Sequence, residues 1–322
     1  MKSLMINKAL SLFAGAVMLF SGTVSSWAAD ALDSTVPVTM TVTASVAGGK
    51  RMPEITRDNL VVRQGKSRLK VTGWVPARGD RAGLELFILI DDSADARFSL
   101  HYDDLRAFMM YQPATTLVGV GYMRNGTVQI AQNLTANHQL AAQALRLPAG
   151  FSGPLGSPYL SVSDLMRSWP VTGNRREVLM ITSGIGRGHD RHFMNWRMGY
   201  RQDPDVDTAT AVAQRTGTNI FSIYTPSSAH FRSSQWALTN GQVNLSQLSD
   251  RTGGAAFYLG LHSPVTIQPY LGQLQGMFNN QYLLSFSAKA AKKPGLQTIN
   301  LSTEVAGVDL TAHNAVWVAG AR

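Results

Sequence analysis

Residues 87 to 97 read FILIDDSADAR: four apolar residues run directly into Asp91 and Asp92, with Asp95 just beyond. A run that apolar reads as a buried strand, yet a buried carboxylate is costly without a partner. The two demands are met together only if the strand stops at Asp91 and delivers its acids to the end of a sheet. In an open parallel sheet that end is where ligands collect.

The surrounding rhythm supports a parallel sheet. Short apolar runs at 84–90, 117–122, 178–182, 220–224 and 255–259 alternate with helical patterns. The stretch YDDLRAFMMY puts Leu105, Phe108 and Met109 on one helical face. In DPDVDTATAVAQRTG, Asp203 is placed to cap a helix, Pro204 to start it and Gly217 to end it. NLSQLSDRTGG reads as a short helix capped by Asn244, and Ile267, Leu271, Leu274 and Phe278 share helical spacing. Strand–helix alternation predicts an α/β domain with helices on both faces of the sheet. Arg124-Asn125-Gly126 is a hairpin signal, which makes the following strand antiparallel at an edge.

The two ends of the chain differ from this middle. Residues 36–76 and 281–322 are rich in β-branched alternation, with a hairpin around Gln64-Gly65-Lys66. The expected organisation is a leader at 1–28, a β segment at 29–80, the α/β domain at 81–280 and a β segment at 281–322 that packs with 29–80. The leader has Lys2 and Lys8 before the apolar run Leu10 to Phe20, and a small-x-small site ending at Ala28. That pattern predicts a cleaved signal peptide and an exported chain, periplasmic or secreted, with no spanning segment after cleavage. The chain has no cysteine, so its core must hold without disulfides. A formal charge of +9 favours an anionic partner, either an envelope surface or a protein; export argues against nucleic acid.

The Asp-x-Ser-x-Asp loop (Asp91, Ser93, Asp95) offers oxygens that suit Mg²⁺ or Ca²⁺. Here the sequence resembles the von Willebrand factor type A family, whose metal-dependent adhesion site opens with Asp-x-Ser-x-Ser after the first strand. Ser157 in LGSPYL stands at the family's Thr position, and Ser183 in LMITSGIG stands at its later Asp. The site is thus degenerate at Asp95, Ser157 and Ser183. The leader of the mature chain, LSQLSDRTGGAAFY and NNQYLLSFSA are similar to segments of the von Willebrand type A-related proteins common in acidobacteria. The resemblance implies a three-layer α/β/α domain with one antiparallel edge strand, inserted in or flanked by a small β-domain, and binding rather than catalysis. It leaves open whether the altered site holds Mg²⁺ or Ca²⁺, or is a remnant in which Asp91 and Ser93 cap the following loop.

A second loop leaves the same rim. It carries Arg187, Arg191, Trp196, Arg197, Tyr200 and Arg201, the residue types of binding hot spots. It is read either as a partner contact or as a solvated insertion, and one of its arginines could neutralise Asp91 or Asp95. No enzyme motif accompanies these features. His189-x-x-His192 lacks a third ligand, GIGRG lacks the Lys-Ser/Thr of a phosphate loop, and there is no Gly-x-Ser-x-Gly elbow. The leading expectation is an exported, non-enzymatic adhesion-type protein that uses the rim carrying 91–97, 153–160 and 184–201. The alternative is a structural subunit of an envelope or secretion assembly whose β-domain makes the contacts.

Overall fold

In the computed structural model, residues 35–46, 48, 51–151, 153, 156–186, 203–228, 235–259 and 264–320 are described. The leader, the arginine-rich 187–201 segment and the His189–His192 pair lie outside them.

Four strands come first: β1 (Thr35–Val46), β2 (Leu60–Gln64), β3 (Ser67–Arg68) and β4 (Lys70–Pro76). The middle follows as β5 (Leu84–Asp91), α1 (Tyr102–Met110), β6 (Thr116–Arg124), β7 (Thr127–Thr135), α2 (His138–Gln143), α3 (Pro158–Ser168), β8 (Arg175–Thr182), α4 (Pro204–Thr216), β9 (Thr218–Tyr224), α5 (Gln235–Arg251), β10 (Ala256–Tyr258) and α6 (Gln268–Asn279). The chain closes with β11 (Gln281–Lys289), β12 (Gly295–Thr303), β13 (Val308–Ala312) and β14 (Ala315–Val318).

The central sheet runs β10-β9-β8-β5-β6-β7. All its pairs are parallel except β6–β7. Asn125 and Gly126 both adopt positive φ, 53° and 72°, in the two-residue turn that reverses the chain into β7. One face of the sheet buries Leu86, Ile88 and Ile90 with Leu105 and Met109 of α1 and Leu271, Leu274 and Phe278 of α6. The other buries Phe87 and Leu89 with Tyr159 and Val162 of α3, Val206 and Ala213 of α4 and Leu245 of α5. Both faces of β5 are therefore covered, which is why its sequence from Leu86 to Ile90 is continuously apolar rather than alternating. This is the three-layer architecture, with one antiparallel edge, that the resemblance implies.

The two ends of the chain form two further antiparallel sheets, β13-β1-β11-β4 and β14-β12-β2-β3, around a third core that includes Val42, Val62, Leu284 and Phe286. Strand β1 pairs with β11 from Thr35↔Lys289 to Thr43↔Gln281, so the α/β middle is an excursion from one β unit. The β unit meets the central sheet at the amino ends of its strands. There Gln281 donates to Glu177 Oε1 at 2.7 Å and to Thr43 Oγ1 at 3.4 Å, and the Arg175 guanidinium donates to Gln281 Oε1. His313 Nε2 pairs with Asn219 Oδ1 at 2.9 Å.

Two sequence expectations change. The helix expected to start at an Asn244 cap begins at Gln235 and runs through a buried Asn244. The strand expected after Gly65 divides at Leu69: β3 completes the hairpin with β2, and β4 crosses to pair with β11 in the other sheet. Trp317 of β14 is 38 % exposed, with Arg215 4.5 Å above its ring.

Candidate functional site

The order of the central sheet reverses between β5 and β8, and clefts of doubly wound sheets open outside the carboxyl ends at such a switch. Asp91 ends β5 and Thr182 ends β8. Their side chains meet: Thr182 Oγ1 donates to Asp91 Oδ2 at 2.7 Å. Asp91 Oδ1 accepts from the Ser93 amide at 2.8 Å and the Ser93 hydroxyl at 2.7 Å. Asp91 is 2 % exposed, so these bonds replace solvent for both oxygens.

The next two acids have different partners. Asp92 is fully buried, and Arg146 grips it with both guanidinium nitrogens, at 2.7 and 3.0 Å. The Ala149 amide adds a third bond at 3.1 Å. Arg146 in turn lies 3.7 Å over the Tyr122 ring, and its carbonyl accepts the hydroxyls of Tyr102 and Tyr122 at 2.6 and 2.8 Å. Its bonds to Asp92 push the Arg146 pKa up, while burial pushes up that of Tyr122. Asp95 faces Arg97, which donates to it from Nε and Nη2, and its Oδ1 also caps the turn Ala96–His101 through the Arg97 amide. The arginines observed at this end of β5 include Arg97, Arg124 and Arg146; Arg187 and Arg191, expected from the sequence as candidate partners, lie outside the described residues.

Ser157 caps α3 by accepting from the Leu160 amide. Ser183 is buried, and its hydroxyl has no hydrogen-bond partner among the described residues. The structure therefore brings Asp91, Ser93, Ser157 and Ser183 to the carboxyl end of the sheet, and it sets Asp95 aside in its own ion pair. The two flanks of the arginine-rich segment also end here: a Cβ placed on Gly186 would lie 3.6 Å from Ser157 Oγ and 3.7 Å from Asp203 Oδ2. Arg191, Trp196, Arg197, Tyr200 and Arg201 of that segment, like Arg187, are outside the described residues.

A narrow crevice, too tight to admit a water molecule, lies over Asp91, lined by Met123, Arg124, Gly156, Ser157, Pro158 and Ser161. The Arg124 guanidinium is 3.9 Å from Asp92 and about one-third exposed. The donor set does not fit a divalent ion. Mg²⁺ needs near-octahedral oxygens, and Ca²⁺ needs six to eight. Here both carboxylate oxygens of Asp91 already accept protein N–H or O–H groups, Ser183 supplies a hydroxyl in place of the family's later acid, and Arg124 is among the residues that line the crevice beside them. Among the described residues no cluster of three or more His, Asp or Glu side chains could hold a metal.

Sequence reasoning missed Arg146, Tyr102 and Tyr122, because no motif links residues so far apart. It also missed Arg124, which it read only as part of a turn. The signal for Arg146 was present in principle: adjacent acids at the end of a buried strand need hydrogen-bond donors or a cation from elsewhere in the fold.

No protein-family model and no curated protein matches the chain. Solved structures that are similar to it include a von Willebrand factor type A protein from Catenulispora acidiphila (9 % identity, 82 % of this chain and 73 % of that one, TM-score 0.42). Another is the von Willebrand factor domain of the type V pili tip protein Mfa5 from Porphyromonas gingivalis (10 %, 61 % and 95 %, 0.42). A third is an aerotolerance-related membrane protein from Bacteroides fragilis (13 %, 61 % and 99 %, 0.41). By its own strand order, its antiparallel edge and its helices on both faces, the chain carries a von Willebrand factor type A-like α/β/α domain flanked by antiparallel β-sheets.

Proposed function

We propose that this chain is an exported, non-enzymatic binding protein that recognises a protein partner through the carboxyl-end rim of its central sheet. The observation that carries the reading is a set of large apolar side chains held in water on that rim. Leu100 is 76 % exposed, Leu147 61 % and Phe151 45 %. They sit on two loops that the Asp92–Arg146 pair ties together. A third loop is fastened to both, because the Ser228 amide donates to Ser93 O at 2.8 Å and its hydroxyl to Gly150 O at 2.7 Å. Loops fixed in this way lose little freedom on association, and exposed aliphatic and aromatic groups on a rigid frame are what an interface core is made from. Arg97 and Arg124 beside them suit an acidic partner. Asp91, Asp92 and Asp95 are each engaged by protein donors, which supports binding over catalysis. The leader at 1–28 supports export, and no helix among the described residues is long and apolar enough to cross a membrane.

The second reading places the contacts on the β unit, and half-exposed Trp317 is the observation that favours it. Capture from a cell-envelope extract separates the two. Leu147→Asp combined with Phe151→Asp is expected to keep the circular dichroism and melting of the wild type while cutting recovery of the co-purified protein by more than about tenfold. Trp317→Ser is expected to leave recovery unchanged. The opposite pattern would move the function to the β unit.

A further inference from the structure

We infer that the adhesion-type site of this chain works without a divalent ion, and that the Arg124 guanidinium is the cation built into its place. The inference takes the rim as the binding surface, as above, but the ion question is decided on the protein alone.

The position is fixed by the crevice over Asp91. Its walls are Asp91 from β5, Met123 and Arg124 from the end of β6, and Gly156 to Ser161 from the start of α3. These are the elements that would surround an ion held between Asp91 and Ser157. Arg124 stands among them on the last residue of a strand whose backbone is locked by pairing to Thr127. Its guanidinium reaches to 3.9 Å from Asp92 Oδ2, next to the acid that ends β5. A guanidinium remains charged at any physiological pH, and a divalent ion beside it would meet a like charge.

The ligands agree with this placement. The Ser93 hydroxyl spends its proton on Asp91 Oδ1, and Thr182 spends its own on Oδ2. Neither carboxylate oxygen faces the crevice undressed. Asp92, the neighbouring acid in sequence, serves Arg146 bidentately and Arg124 at 3.9 Å. The family's distal acid is Ser183, a buried hydroxyl without a partner among the described residues. Removal of one acid and addition of one cation at the same site change its charge in the same direction. Both changes disfavour a divalent ion, while Asp91 keeps hydrogen-bond donors from Ser93 and Thr182 without one.

The test is calorimetric titration of the full mature chain with MgCl₂, MnCl₂ and CaCl₂. Wild type is expected to give no saturable heat and the same melting curve with the chelator EDTA as with any of the three ions. Arg124→Ala combined with Ser183→Asp is expected to gain a saturable Mn²⁺ and Mg²⁺ site of millimolar or tighter affinity. Adding Asp91→Asn to that pair is expected to abolish it. Arg124→Ala alone removes only a partly exposed side chain; it is expected to fold as wild type and to show a weaker gain for Mn²⁺ or Ca²⁺, which keeps the test decisive if the double variant misfolds. Saturable binding to wild type that Asp91→Asn removes would overturn the first clause. A folded double variant that takes no ion would overturn the second. Neither result depends on finding the partner, so failure here is distinct from failure of the rim reading.

Discussion

Three neighbouring acids, Asp91, Asp92 and Asp95, meet three separate partners within five residues of chain: hydroxyl groups, a buried arginine and a local arginine. The lesson at this scale is that a carboxylate's role is set by what the fold brings to it from a distance. The same holds at the opposite end of the sheet. Burial pushes the Glu177 carboxyl up to about 7 from its ordinary 4.5, although Arg175 and Gln281 pull it back. Burial pushes His313 down to about 4 from 6.5. The signs are opposite. Between pH 4.5 and 7 folded Glu177 holds a proton that the unfolded chain has released, so its contribution to stability falls as pH rises. Between pH 6.5 and 4 folded His313 stays neutral while the unfolded chain takes up a proton, so its contribution is lost as pH falls. Each shift corresponds to about 3 kcal/mol, and the two nearly cancel between pH 4.5 and 6.5. Urea denaturation across that window is expected to give a flat profile from this pair in wild type. Glu177→Gln is expected to leave a profile that climbs with pH, and His313→Gln one that declines. Parallel slopes in both variants would contradict the assignment.

Elements were legible where one local rule decided them. Strand β5, the Asn125-Gly126 hairpin and the Asp203–Gly217 bounds of α4 follow from apolar content, positive φ and capping chemistry. Helix α3 went unread although Ser157-Pro158 is a start signal, because its buried face includes Ser161 and Ser163. Their hydroxyls donate back to Ser157 O and Tyr159 O, so polar residues fill positions that a hydropathy pattern expects to be apolar. Helix α5 was cut short for a related reason. Gly241 looks like a breaker, but here it is a packing residue: a Cβ on it would come within 2.4 Å of Ser183 O. The missing side chain lets α5 close over the loop that follows β8. Gly241→Ala is expected to destabilise the protein by about 2 kcal/mol, several times the cost of an ordinary exposed substitution, because backbone rather than a flexible side chain must give way. Chemical denaturation measures it; a loss under about 0.5 kcal/mol would show that the helix is free to shift.

The whole molecule has two working ends. The amino ends of the parallel strands are sealed against the β unit by the Arg175–Gln281–Glu177 and Asn219–His313 contacts. The carboxyl ends are left to carry the clamped rim. That division was partly legible, since strand alternation implies a carboxyl rim and two β-rich flanks imply a shared unit. Which end the β unit covers was not, because it depends on buried polar pairs that no periodicity reveals. The most direct test of the account is site-specific photocrosslinking in cells, with a benzoylphenylalanine placed at Phe151 and, separately, at Trp317. The account predicts a discrete crosslinked protein adduct from position 151 and none from position 317. An adduct from 317 with none from 151 would contradict it.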